Sequence, residues 1–136
     1  MPVHQPYLII TETSYSRIAA LCADFVERSE ATCALLVGQD GTLLHKHGFV
    51  EDLDLDSLSA LAAGAFASTG EIAKLIGEMK FDFFMQQGTH HHLQLIRVGE
   101  AAILLAVFDD RTTAGMVRLR GQETARQLAS VLQPVG

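Results

Sequence analysis

The chain has 136 residues, 49% of them hydrophobic and 19% charged, which suits one packed domain and excludes a disordered regulator. Lys plus Arg number 10 against 16 Asp plus Glu, for a net charge of -6, and that balance excludes a nucleic-acid binder built on a concentrated basic surface. The longest uninterrupted apolar run, Ala101 to Phe108, is too short to span a bilayer, and Met1-Pro2-Val3-His4-Gln5-Pro6 lacks the basic start and apolar stretch of a signal peptide, so a cytoplasmic protein with no direct membrane insertion is expected.

From Ser14 to Arg28 the residues Ile18, Leu21, Cys22, Phe25 and Val26 recur at helical spacing, with Thr13 or Ser14 placed to cap the start. Cys33-Ala34-Leu35-Leu36-Val37-Gly38 is a continuous apolar run, the pattern of a strand covered on both faces. Cys22 and Cys33, the only cysteines, sit among apolar neighbours and read as small buried hydrophobes in a reducing compartment. Gln39-Asp40-Gly41 supplies a hairpin turn, because Asp-Gly tolerates positive φ. Leu43 to Val50 returns as a more polar strand carrying His45, Lys46 and His47, which suits a sheet edge where charge discourages stray pairing.

Glu51, Asp52, Asp54 and Asp56 then set negative charge before a second helix running from about Ser57 to Glu78. Strands are predicted over Phe81 to Gln87, His90 to Val98 and Ala101 to Asp109, with Gly99-Glu100 read as a two-residue hairpin between the last two. Ala101 to Phe108 has no polar face and belongs mid-sheet. Thr112 or Thr113 caps a third helix whose buried stripe is Val117, Ala125, Leu128, Val131 and Leu132, with Gly121 out of character inside it. The order is helix, two strands, helix, three strands, helix, without repeat, linker or low-complexity tract.

The second helix carries the functional signal. Leu58, Leu61, Ala65, Ile72 and Ile76, with Ala62 and Phe66 beside them, form one apolar stripe. The other side carries Ala60, Ala63, Gly64, Ala67, Ser68, Gly70, Glu71 and Lys74, nearly all small where a solvated helix would hold long charged side chains. Each interior glycine costs about 1 kcal/mol relative to alanine, so a face that accepts two points to close approach by another backbone. That backbone belongs either to a partner or to a second copy of the chain, and both readings stay open.

The stretches Leu58-Ser59-Ala60-Leu61-Ala62-Ala63-Gly64-Ala65-Phe66-Ala67 and Ile72-Ala73-Lys74-Leu75-Ile76-Gly77-Glu78 resemble the second helix of bacterial Roadblock (dynein light chain family) proteins of the MglB group. Phe108-Asp109-Asp110-Arg111-Thr112-Thr113-Ala114-Gly115-Met116-Val117-Arg118-Leu119 resembles the turn into their last helix, and the likeness spans Leu8 to Leu132. The resemblance implies one Roadblock domain over residues 1–136, core about 8–132, of α/β (α+β) class in the order α-β-β-α-β-β-β-α. A five-stranded antiparallel sheet with one long helix on one face and two on the other is the implied architecture. It implies a homodimer paired through the third strand at Phe81, Phe83 and Met85, which alternate onto one face. It also implies a Ras-like small GTPase of the MglA type as partner, bound across the paired second helices at Ala60, Ala63, Gly64, Ala67, Ser68, Gly70, Glu71 and Lys74. GTP hydrolysis by that partner would be stimulated without an arginine finger, with no catalytic residue, metal or cofactor in this chain, in bacterial cell polarity or motility. A Roadblock scaffold or adaptor that binds without activating is the alternative.

Sharper-looking motifs fail on spacing. Gly64-Ala65-Phe66-Ala67-Ser68-Thr69-Gly70-Glu71 has no Lys after the glycine and no strand before it, so it is no phosphate loop. Asp52-Leu53-Asp54-Leu55-Asp56-Ser57 has the alternating acids of a calcium loop, but Ser57 replaces the turn glycine and Ala63 the bidentate glutamate. His45 with His47, and His90 with His92, each point to one strand face and offer two zinc ligands apiece without an evident third. Nothing sets Ser14, Cys22 or Cys33 beside a histidine as a nucleophile would need. Arg111 sits in a turn, where hydrogen bonding within the turn is preferred to a finger role.

Overall fold

The computed structural model describes residues 7–8, 10–132 and 134–135, and the side chains of 10–132. The opening six residues, read above for a signal peptide, lie outside the described residues. A short strand β1 (Tyr7–Leu8) is followed by α1 (Glu12–Ser29), which starts two residues before the predicted Ser14. Thr11, not Thr13 or Ser14, is the N-cap, its hydroxyl accepting from Ser14 N at 3.1 Å. Ile18, Cys22, Phe25 and Ser29 are the buried positions, three and four residues apart. The helix closes on Glu30, whose left-handed φ of 59° turns its N–H back to Val26 O.

β2 (Cys33–Gly38) and β3 (Leu43–Gly48) form a hairpin in which Gly41 takes φ 89° and the Asp40 carboxylate accepts from Thr42 N at 3.0 Å. Gly41 also needs its missing side chain, because a Cβ there would lie 3.2 Å from Ala60 Cα. α2 (Leu55–Leu75) begins under Asp54, which accepts from Ser57 N at 3.1 Å and Ser57 Oγ at 2.7 Å. β4 (Phe83–Gln87), β5 (His92–Val98) and β6 (Ala102–Phe108) follow, then α3 (Ala114–Val131) under Thr113. The loop between β5 and β6 has three residues, Gly99, Glu100 and Ala101, instead of two, because Val98 pairs with Ala102. β7 (Pro134–Val135) pairs with β1 as a small ribbon that the sequence reading lacked.

The main sheet is antiparallel in the order β3-β2-β6-β5-β4. Alternation along its strands divides the core in two. Ala34, Leu36, Ile96, Val98, Leu104, Ala106 and Phe108 meet α1 and α3 on one face. Leu35, Val37, Leu95, Ile103 and Leu105 meet Ala62, Ala63 and Phe66 of α2 on the other. One long helix against two is therefore the observed layering. Gly121 finds its reason here, since a Cβ on it would lie 2.2 Å from Ile96 Cδ1 and 3.5 Å from Phe25 Cε1. Cys22 and Cys33 are buried free thiols, and burial pushes them up to about 12 and about 11. Among the described residues no helix is long and apolar enough to cross a membrane.

Candidate interaction surface

α2 turns a stripe of mostly small residues to the sheet: Ser59, Ala62, Ala63, Phe66, Thr69 and Ala73 are its buried positions. Small side chains let the helix axis sit close to the sheet, and Phe66, with the half-buried Leu55 and Leu58, fills depth in the cluster of Leu35, Leu95 and Leu105. The apolar stripe predicted from sequence is thereby rotated. Of its members only Ala62 and Phe66 are buried and Leu58 half-buried, whereas Leu61 is 73% exposed and Ala65, Ile72 and Ile76 also face outward. Ala63, placed on the outer face by the sequence reading, is 7% exposed and packs on the sheet. Ala60, Gly64, Ala67, Ser68, Glu71 and Lys74 are exposed and Gly70 half so.

Leu61, Ala65, Ser68, Ile72 and Leu75 follow one another at three- and four-residue steps along the outward line, with Gly64 beside Ala65 and Leu75 86% exposed. Ala60, Ala67 and Lys74 flank it, seven residues apart. Ser68 Oγ donates to Gly64 O at 3.1 Å, so this hydroxyl is turned onto its own helix. Glu71 and Lys74 face each other at 3.4 Å, the only ion pair on α2 among the described residues. A Cβ added at Gly64 or Gly70 would meet nothing within 4 Å. The protomer's own packing therefore does not require these glycines. The outward side of α2 is thus a low, apolar ridge in which leucine and isoleucine stand exposed beside glycine and alanine. Sequence reasoning missed Leu61, Ile72, Leu75 and Ile76 as members of it. The signal was there in Ser59, Ala62, Ala63, Thr69 and Ala73, small residues at helical spacing that mark a close-packed face as surely as leucines do.

The strand proposed for self-pairing is an edge, with β5 its only neighbour among the described residues. Arg97 N donates to Asp82 O, so the antiparallel alternation leaves the N–H and C=O groups of Phe83, Met85 and Gln87 facing the open side. The side chains expected there behave differently. Phe83 and Met85 already lean on the α1/α3 core, with the Arg118 guanidinium 4.2 Å over the Phe83 ring. Phe81 precedes the strand, half-buried, and its carbonyl accepts from Arg97 Nε at 3.3 Å and Nη2 at 3.0 Å. Arg97 also lies 4.9 Å from the Phe66 ring centroid and 3.3 Å from Asp82, tying α2 to the beginning of β4.

The remaining candidates lie elsewhere. Arg111 Nε donates to both carboxylate oxygens of Asp109 at 2.9 and 3.1 Å, which holds the carboxyl below its usual range and raises the guanidinium. It sits where β2 begins and β3 finishes, beside Thr32 and Phe49, at the end of the sheet opposite the Gly41 turn that touches α2. His45 stacks edge-on against Tyr15 at 5.4 Å and is held below its usual value by burial, then by the charge of His47. His92 is buried, accepts from Gly88 N at Nδ1 and reaches Asp110 with Nε2 at 3.0 Å, while His90 lies before the strand. Among the described residues no group of three His, Cys, Asp or Glu is placed to hold a metal.

The Roadblock/LC7 domain signature matches residues 17–108, and the chain belongs to that family. Within it the chain is similar to Myxococcus xanthus MglB, at 33% identity and TM-score 0.83, covering 86% of this chain and 95% of that one. It is also similar to the gliding protein MglB of Thermus thermophilus, at 30% identity and TM-score 0.88 over 95% and 98% of the two chains. An MglB solved in a tetrameric arrangement matches at 30% identity and TM-score 0.88, over 95% and 97%. No curated protein sequence matches.

Proposed function

We propose that the chain is a dimeric, cytoplasmic regulator, not itself an enzyme, that binds a Ras-like GTPase of the MglA type and stimulates its GTP hydrolysis. The domain is read as one unit with its core over about residues 8–132. The observation that carries the reading is the outward ridge of α2, apolar and low in relief, in a chain 33% identical to an MglB. Two such ridges side by side, with β4 paired to its mate through Phe83 and Met85, make one smooth platform. Ala60, Gly64, Ala67, Ser68, Gly70, Glu71 and Lys74 lie on it or beside it, while Ala63 supports it from beneath. Phosphoryl transfer depends on placement and charge stabilisation, so a platform that orders the partner's switch loops accelerates hydrolysis without donating a residue. Arg111, held by Asp109 at the far end of the sheet, is not offered to this platform.

The test is single-turnover GTP hydrolysis by an MglA-type GTPase with and without this protein. Acceleration of about tenfold or more is expected, short of the roughly thousandfold or greater effect that an arginine finger supplies. Tight binding without a rate change would make the protein an adaptor. Phe83→Asp, assayed by light scattering, should shift the dimer toward monomer, and an unchanged dimer would move the pairing away from β4.

A further inference from the structure

We infer that a second docking surface lies on the sheet face opposite α2, a trough over the paired β4 strands that takes one acidic amphipathic helix from a partner protein. The inference rests on the edge-to-edge dimer proposed above. α3 lies over β5 and β6 and leaves β4 without a helix of its own. Phe83 and Met85 face this side and are only half-buried, so in the dimer they form an apolar floor twice over. With strands ~4.8 Å apart, about four spacings or ~19 Å separate α3 from its mate across the centre of the doubled sheet. Helices pack on one another at about 8–10 Å. The gap between the two α3 helices is thus one helix wide.

The walls supply the charge. Arg118, Gln122, Arg126 and Ala129 lie on the β4-facing side of α3, and the last three line a groove of ≈ 450 Å³ with Lys80 and Ile96. Among the described residues neither Arg118 nor Arg126 has an ion pair, whereas Arg120 has Glu123 at 3.3 Å and Arg97 has Asp82 at 3.3 Å. The groove's own acids do not answer them, since Asp82 is engaged by Arg97 and Glu100 sits at the hairpin tip. Arg118 now lies over Phe83, and a carboxylate arriving above it would gain a charge-assisted bond while apolar side chains cover the ring. Two such arginines per protomer call for acidic residues flanking an apolar stripe, the helix-in-groove mode of recognition.

The probe is a synthetic helix of about 18 residues, long enough to hold its shape, with leucines at three- and four-residue spacing and glutamates beside them. A control peptide carries lysines in place of the glutamates. Calorimetry with the full chain should give one glutamate peptide per dimer. Arg118→Glu, and separately Arg126→Glu, should weaken it about tenfold or more and let the lysine peptide bind instead. No binding to a dimer confirmed by light scattering would overturn the trough and leave the dimer standing. One peptide per protomer, or binding indifferent to both arginine changes, would overturn it as well. A monomer by light scattering would bring down dimer and trough together. Ala67→Arg, on the opposite face, should leave the peptide's affinity unchanged whatever it does to the GTPase.

Discussion

α1 and α2 are of similar length, 18 and 21 residues, but they leave opposite things in solvent. α1 buries Ile18, Cys22 and Phe25 and shows Glu12, Arg17, Asp24, Glu27 and Arg28. α2 buries serine, alanines, threonine and one phenylalanine, and shows Leu61, Ile72 and Leu75. The first helix is finished within the protomer, because its apolar side chains already have their partners in the sheet and α3. The second is held by close backbone approach and leaves large side chains in solvent. On the proposed function, stability and interaction fall to opposite faces of one sheet, and substitutions should separate them.

The largest effect should come from the finished side. Phe25→Ala removes a ring 1% exposed and should cost about 3–5 kcal/mol in thermal or denaturant unfolding. Leu75→Ala, at 86% exposure, should stay within about 0.5 kcal/mol. A core-sized loss at Leu75 would erase the distinction between the helices.

Ala67→Arg should come next. The melting temperature and dimer should be kept, while GTPase affinity falls about a hundredfold or more, near 2.7 kcal/mol. Arg111→Ala, in the same hydrolysis assay, should leave most of the acceleration, because its guanidinium is occupied by Asp109. A loss of about a thousandfold there, the scale of an arginine finger, would overturn the mechanism.

Three glycines sharpen the comparison with smaller energies of opposite sign. Gly64→Ala and Gly70→Ala meet open space and should each stabilise the protomer by about 0.5–1 kcal/mol. Gly121→Leu forces side-chain atoms into Ile96 and Phe25 and should destabilise by about 1–3 kcal/mol. Chemical denaturation of the three variants decides it, and a stabilising Gly121→Leu would mean that α3 does not sit where described.

The smallest effect concerns pH. Burial beside Tyr15 holds His45 below its usual 6.5, so the unfolded chain binds this proton more readily than the folded one. The contribution is fully present above pH 6.5 and is lost as pH falls toward the lowered value. His45→Gln should flatten the melting temperature across that window, and an unchanged slope would clear His45 of it.

Much of the fold is legible in the residues themselves. Cys33 to Gly38 and Ala102 to Phe108 are apolar without interruption, the pattern of a strand covered on both faces, and each is short and bounded by turn residues. Asp-Gly at 40–41 and the polar His45-Lys46-His47 segment likewise announce a hairpin and an edge, because turn geometry and exposure act on single residues. Both α1 and α2 start two residues earlier than their apolar periodicity suggests, at Glu12 and Leu55, because Thr11 and Asp54 take the orphan N–H groups of the first turn. What the sequence by itself determined was therefore the kind and order of the three helices and five main strands, though not the β1–β7 ribbon, and a second helix too small and too apolar for solvent. Which way that helix faces was decided only by the tertiary structure. α2 carries two overlapping apolar stripes, and periodicity weighs leucine above alanine. Packing onto a sheet reverses that weight, because Ala62, Ala63 and Ala73 allow an approach that Leu61 and Ile72 would hold off.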